Sequence, residues 1–402
     1  MDSFYRPTRV EISLDALQHN LQQFRTVLPE HVKLMAVVKA DAYGHGAVEV
    51  SREALRCGVE YIAVAFLDEG LELRRAGIQA PILVLGYTPP EGLETAWTHD
   101  ITLNVYTHEL LDAWQRIGRA KHDERPLKVH IKIDSGMHRI GLTDVGEAIA
   151  LIERARQLPG LCVEGLFTHY ACADEADKSY TYEQYNKFAQ VVEHFRREGV
   201  EFPYVHAGNS AAAIDLPDWT FNMVRIGISM YGMYPSEEVN KARIELLPVL
   251  SIKSSVVMVK QVPAGAGVSY GAIYRPAAEE TIATLPIGYA DGFSRMLTGK
   301  AEVLVGGRRV PVVGRICMDQ CMLNVTGLAD ISIGEQVVIL GSQGNECITA
   351  EDHAAWLGTI NYEITCMISH RVPRVYIKDG RVCLTVNPLL HHEWEQPGAP
   401  RD

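Results

Sequence analysis

Short apolar runs alternate with amphipathic stretches through the first half of the chain. The runs are KLMAVVKA (33–40), YIAVAF (61–66), PILVLG (81–86), ITLNVY (101–106), LKVHIKID (127–134), LCVEGLFTH (161–169), YVHAG (204–208) and MVRIGISMY (223–231). Each has the length of a strand, and most are closed by glycine, proline or polar residues. Between most of them the apolar residues recur at helical spacing, as in 109–120, 145–157 and 181–199. Strands alternating with helices in this way predict an α/β fold, a (β/α)8 barrel of parallel strands. The last connection is the weakest, because NSAAAIDLPDW has room for only a short helix.

After Pro235 the texture changes to β-branched runs broken by Gly and Pro: LLPVLSIKSSVVMVKQVPAG, TIATLPIGYADG, AEVLVGGRRVPVVGRICMDQCMLNV, QVVILGSQG and RVYIKDGRVCLTV. The pattern predicts a mainly β domain over 241–388 with a helical insertion at 349–370, following a barrel domain over 1–240. The first dozen residues are candidates to pair with the β-domain. The tail, 389–402, is polar and is expected to be loose.

Composition narrows the setting. The chain has 402 residues, 47% of them hydrophobic, enough for two cores. Its net charge of -12, with no basic stripe, argues against a nucleic-acid partner. The N-terminal MDSFYRPTRVEISLDAL lacks an apolar signal core, and no run has membrane-spanning length. A cytoplasmic protein without a membrane partner is the expectation. Eight scattered cysteines support neither a disulfide framework nor a metal site. Cys317 and Cys321, read as strand residues four apart on one face, are assigned a buried structural role.

Candidate chemistry begins at AVVKADAYGHGAV (36–48). Lys39 is placed at the mouth of a buried strand, where apolar surroundings favour the neutral amine that Schiff-base chemistry needs. Taken alone, these residues suit a snorkelling strand-end lysine equally well. Further along, Arg139 follows strand five, His169 ends strand six, Asn209 and Ser210 follow strand seven, and Arg225 to Ile228 lie on or near strand eight. All fall towards the C-terminal ends of the strands, the face where barrel enzymes build their sites.

HAGNSAAAI opens a helix with Asn-Ser after a strand. These residues are a plain N-cap or, beside strands seven and eight, an anion cradle. An imine-forming lysine, a phosphate cradle and Tyr43 four residues beyond the lysine together point to pyridoxal 5'-phosphate.

VVKADAYGHG, DSGMHRIG, HAGNSAA, VRIGISMYG, VSYG, PIGYADGFSR, GRICMDQ and NYEITC occur in this order. The set resembles the successive signature segments of the alanine racemase family, pyridoxal-phosphate enzymes of fold type III, over roughly residues 8 to 377. Asp41 and His138 stand where the family has Asn or Asp and Gly or His.

The resemblance implies that Lys39 carries the cofactor. It implies that Tyr43, Asn209, Ser210, the backbone of Gly227 and Ile228, and Tyr362 surround the phosphate. It sets Arg225 at the pyridine nitrogen, His169 beside the ring, and Arg139 and the Met318 backbone at the substrate carboxylate. Tyr270, and Tyr289 at the entry, would come from the partner subunit of a homodimer with composite sites. Lys132, on one strand face with Asp134, would be the lysine that is often carbamylated in the family.

Racemisation needs two bases on opposite sides of the substrate Cα, here Lys39 and Tyr270. A phenol with an ordinary pKa near 10 needs a nearby cation to serve, and a bonded chain from His169 to Arg225 is the candidate. Arg225 has no proton-accepting capacity, whereas decarboxylases and transaminases commonly set a carboxylate at the ring nitrogen. The expected activity is interconversion of L- and D-alanine, supplying D-alanine for peptidoglycan. The alternatives are a racemase of serine or broader preference, a decarboxylase on the same barrel, and a non-catalytic cofactor carrier. Arg225 argues against the decarboxylase, and a β-domain bearing Tyr270 argues against the carrier.

Overall fold

The computed structural model describes residues 4–118 and 125–390. The predicted tail from residue 391 and the end of the helix predicted over 109–120 lie outside the described residues. The chain divides into a barrel unit, Ala16–Leu247, and a β-unit made of Met1–Asp15 with Pro248–Asp402.

Strand β1 (Arg9–Ser13) belongs to the β-unit. The barrel follows, from β2 (Lys33–Val37), β3 (Tyr61–Val64), β4 (Ile82–Val84) and β5 (Ile101–Val105) to β6 (Leu127–Lys132), β7 (Leu161–Phe167), β8 (Tyr204–His206) and β9 (Met223–Ile226). Neighbours pair in parallel from β2 to β8, and β9 pairs in parallel with β2. The ring closes where Asn222 N donates to Val205 O at 3.2 Å and Arg225 N donates to Gly208 O at 3.1 Å. Eight parallel strands joined by helices are the architecture that the hydrophobic pattern predicts.

The runs read as continuous apolar stretches because helices cover the outer face of the sheet while side chains fill its interior. The helix Val145–Gln157 shows how: it buries Ala148, Leu151, Ile152 and Ala155 along one stripe, and the Asp144 side chain caps it by accepting from Glu147 N. One irregularity interrupts the ladder. Val129 pairs with Val163 but His130 pairs with Gly165, so Glu164 is the extra residue of a bulge on β7.

The β-unit adds β10 (Leu250–Ser255), β11 (Met258–Val262), β12 (Glu280–Leu285), β13 (Glu302–Val305), β14 (Arg308–Val313) and β15 (Cys321–Asn324). It is completed by β16 (Gln336–Gln343), β17 (Glu346–Ile348), β18 (Arg374–Lys378) and β19 (Arg381–Val386). Helices Ala350–Leu357 and Asn361–Cys366 occupy the stretch predicted to be helical. β1 is antiparallel to β10 and parallel to β18. Cys317 and Cys321 do not share a strand. A turn closed by Cys317 N and Gln320 O at 2.9 Å separates them, and only Cys321 is buried.

A buried carboxylate pins the loops of this unit. Asp291, whose side chain is fully buried, accepts from Arg6 at 2.8 and 2.9 Å, from Arg371 Nε at 2.7 Å and from Gly288 N at 3.0 Å. Burial alone would raise the Asp291 carboxyl pKa, but the bonds from Arg6, Arg371 and the Gly288 amide outweigh it and lower the pKa. Asp291→Ala leaves two arginines facing each other and an amide unpaired. The expected cost is about 3 kcal/mol, the low end for breaking a buried ion pair because both arginines are partly wet. A melting temperature equal to that of the parent protein would show that the carboxylate is dispensable.

Candidate active site

β2 stops at Val37, so Lys39 does not end the strand as predicted. It begins a short left-handed turn, Lys39–Tyr43. Ala40, Asp41, Ala42 and Tyr43 have φ between 52° and 55°, a conformation that costs an L-residue about 1–2 kcal/mol. Surrounding bonds over-determine it. Ala42 N donates to Val38 O at 2.8 Å, Gly44 N to Ala40 O at 3.0 Å and Gly46 N to Asp41 O at 2.9 Å. The carboxylate of Glu69 ties the turn to the next strand, accepting from Ala40 N at 2.7 Å and from Ala65 N at 2.6 Å. Glu69 and the left-handed turn were not legible in the sequence, which has no glycine before Gly44 to mark positive φ.

Beside β9, Gly227 opens a one-turn helix, Ile228–Tyr231. Ser210 Oγ accepts from Gly227 N at 3.1 Å and from Ser229 N at 3.5 Å. A Cβ on Gly227 would meet the Tyr43 hydroxyl at 2.8 Å, so the glycine admits the tyrosine. Tyr43, Ser210 and the Gly227 backbone therefore lie together. Asn209 is the N-cap of the helix Ser210–Asp215, its Oδ1 accepting from Ala212 N at 3.0 Å.

Arg225 is buried on β9 and surrounded by acceptors. Its Nη2 donates to His169 Nδ1 at 2.8 Å, Thr168 O at 2.9 Å and Ala207 O at 3.0 Å, and its Nη1 to His206 Nδ1 at 2.8 Å. Burial lowers its pKa to about 10, which leaves it charged at neutral pH. Burial first, and Arg225 next, push His169 and His206 well below the ordinary histidine value.

Lys132 is buried at the end of β6, with Nζ 4.6 Å from the centre of the Phe167 ring. Burial, then Arg225 and Arg139, hold its pKa well below the usual lysine value. Arg139 is exposed on the loop that follows, which Asp134 shapes by accepting from Gly136 N at 2.9 Å and His138 N at 3.0 Å.

The remaining predicted residues lie on the β-unit. Tyr289 N donates to Cys317 O and Ala290 N to Met318 O, both at 3.1 Å, which sets Tyr289 beside Met318. The Tyr270 turn meets the same stretch through Ser269 Oγ, which donates to Arg315 O at 2.6 Å. All three side chains are exposed, Tyr270 to 70%. Tyr362 is half-buried on the helix Asn361–Cys366. No helix among the described residues is long and apolar enough to cross a membrane.

His206 and its neighbour His130 escaped the reading of the sequence. Each is a polar residue inside a run recognised as a buried strand, and that was the available signal.

Residues 12–235 match the family model "Alanine racemase, N-terminal domain" and residues 249–376 match "Alanine racemase, C-terminal domain". A Clostridium tetani protein named alanine racemase is 46% identical over 94% of this chain and 97% of its own length. One from Methanococcus maripaludis is 47% identical over 92% and 99%. The solved structure of alanine racemase from Bacillus anthracis with bound L-Ala-P superposes with a TM-score of 0.91 at 44% identity, covering 96% of this chain and 99% of that one. A histidine racemase from Leuconostoc mesenteroides superposes at 0.86 with 30% identity, covering 94% and 100%.

Because His130 and His206 are fully buried and their pKa values are lowered, the folded chain binds fewer protons than the unfolded one in mild acid. Their stabilising effect is present above the unfolded value near 6.5 and is lost as pH falls towards the folded values. Urea midpoints should fall from pH 7.5 to 5.5, as stability drops by up to roughly 2.7 kcal/mol per pH unit for the two groups. A flat profile would mean that these rings titrate normally.

Proposed function

From the premise that this chain belongs to the alanine racemase family of enzymes, we propose that it interconverts L- and D-alanine with pyridoxal 5'-phosphate held at Lys39. The observation that carries the reading is the grouping on one end of the barrel. A lysine heads a braced left-handed turn there, near a Tyr43–Ser210–Gly227 cradle and a buried, donor-only Arg225.

The residues present fit the cofactor. Ser210 Oγ gathers the Gly227 and Ser229 amides at the start of a helical turn, the kind of donor set a phosphate binds. Tyr43, Asn209, the backbone of Ile228, and Tyr362 complete the proposed phosphate site. When bound, the cofactor supplies an electron sink that acidifies the substrate Cα proton. Arg225 would donate an N–H to the pyridine nitrogen and has no acceptor with which to hold a proton there, so that nitrogen would stay unprotonated, which limits the sink and the side reactions a stronger one allows. His169, neutral and bonded to Arg225, would lie beside the ring. Arg139 and the Met318 backbone hold the substrate carboxylate.

Two bases act at Cα in this reading: Lys39 on one side and Tyr270 of the partner subunit on the other. Tyr289 lines the entry from the same partner. The depressed pKa of Lys132 supports it as a carbamylation site, since only the neutral amine takes up carbon dioxide. The proposed role is cytoplasmic supply of D-alanine for peptidoglycan. A second reading, racemisation of serine or another amino acid, is kept open by the likeness to a histidine racemase. Tyr362 in NYE favours alanine, since a smaller polar residue there would leave room for a hydroxyl.

Incubation with L-alanine, L-serine and L-histidine in separate tubes, followed by optical rotation, distinguishes these readings. The rotation of L-alanine should decay fastest, and borohydride should label Lys39 irreversibly. Labelling at another lysine, or a preference for a different substrate, would overturn the assignment.

The shared site has its own test. Lys39→Ala and Tyr270→Phe, each nearly inactive, are unfolded together and refolded as a mixture. With random pairing, half the dimers are mixed and each has one intact site, so about one quarter of parental activity should return. If both residues came from one chain, mixing would restore nothing.

A further inference from the structure

A row of polar side chains, buried except for a partly exposed Glu164, leads away from Arg225 through the barrel. His206 Nε2 lies 2.8 Å from His130 Nδ1, and His130 Nε2 lies 3.4 Å from Glu164 Oε1. Tyr61 Oη donates to the same carboxylate oxygen at 2.5 Å and Thr102 Oγ1 at 3.1 Å. The side chains of His130, His206 and Tyr61 are fully buried. Barrel interiors are ordinarily filled by layers of branched apolar residues, and apolar filling of similar volume is often at least as stable as a buried polar set.

Two local devices admit this row. Gly165, the β7 partner of His130, leaves room for the ring, since a Cβ there would meet three ring atoms at 2.7–2.8 Å. The bulge at Glu164 re-aims its carboxylate, which reaches His130 on one side and Tyr61 on the other.

The order of protons along the row follows from its ends. Arginine only donates, so the Nδ1 atoms of His169 and His206 must both be bare. A neutral imidazole carries one proton, so each ring holds it on Nε2. His206 Nε2 then donates to His130 Nδ1, and the His130 proton is left on Nε2 facing the carboxylate. The last contact is long for a hydrogen bond and is not aligned as one, but it is within reach of a full negative charge. The reverse order would set an N–H against the guanidinium at one end. Burial keeps both histidines neutral, and the contact with His130 together with the bonds from Tyr61 and Thr102 outweighs burial to hold the Glu164 carboxyl below its usual range.

We propose that His130 and Glu164 are positioning residues for Arg225, acting through His206. The Glu164 carboxylate is the counter-charge that keeps the row in one tautomeric order and the guanidinium in one orientation. This rests on the proposed role of Arg225 at the cofactor nitrogen. The row itself stands on geometry alone.

The test uses the intact holoenzyme, isotopically labelled at histidine, and long-range proton–nitrogen correlation. His130, His169 and His206 should each show the Nε2–H tautomer; the Nδ1–H form at His130 or His206 would overturn the proposal whatever the enzyme turns over. Glu164→Gln keeps the shape and an acceptor oxygen but removes the charge. It should shift the visible absorption of the cofactor at Lys39 in the absence of substrate. It should also lower kcat by about tenfold with KM unchanged, roughly what one interaction with a charged group contributes. Glu164→Leu should lower kcat further. An unchanged absorption spectrum together with kcat within about twofold of the parent in Glu164→Gln, a change too small for one such interaction, would reduce the row to core packing. Failure of the parent protein to racemise alanine would refute the functional reading without altering what the tautomers say about the row.

Discussion

Arg225 can donate hydrogen bonds and cannot accept them, and the polar interior of the barrel is organised around that restriction. Two histidine nitrogens and three backbone carbonyls surround its terminal nitrogens, from Thr168, His169, Ala207 and His206. Because a buried cation needs such partners, the ends of β7 and β8 are committed to supplying them. The same donors dictate which nitrogen of each histidine is bare. One side chain thereby sets the protonation pattern of a layer that would otherwise be apolar.

Parallel strands carry this commitment to the site. Their C-terminal ends all open on one face, so residues far apart in the chain, such as Lys39, Ser210 and Gly227, are delivered to the same end of the barrel. The strands need only be buried and in register. The loops supply the chemistry, and the left-handed turn at Lys39 is the most costly of them. Glu69 braces it with bonds to the amides of Ala40 and Ala65, converting strain into a single position for the lysine.

The β-unit uses a buried charge for a similar end. Asp291 gathers Arg6, Arg371 and the Gly288 amide and so holds the turn that bears Tyr289. Gly288 allows that turn to lie against the backbone of Cys317 and Met318, where any Cβ would collide at 2.2–2.5 Å. Exposed side chains on this unit are thus carried on backbone that is itself tightly placed.

The eight strands of the barrel were legible because burial on both faces forces continuous apolar runs, and turn residues punctuate them. Their C-terminal ends were legible with them, which singles out Lys39, Arg225 and the Asn209–Ser210 cap before any geometry is known, and the order of the motifs agrees. Other features depend on residues that meet only when the chain folds. The reversal of handedness after Val38 is imposed on ordinary alanines by bonds to Asp41, Glu69 and Val38. His130, Glu164 and His206 are single polar letters in three separate strands, and no spacing rule joins them. Sequence by itself determined which segments would be strands, because periodicity is a local property of the chain. Tertiary structure alone decided which buried polar groups face one another, because that depends on strand register, and one bulged residue at Glu164 is enough to change it.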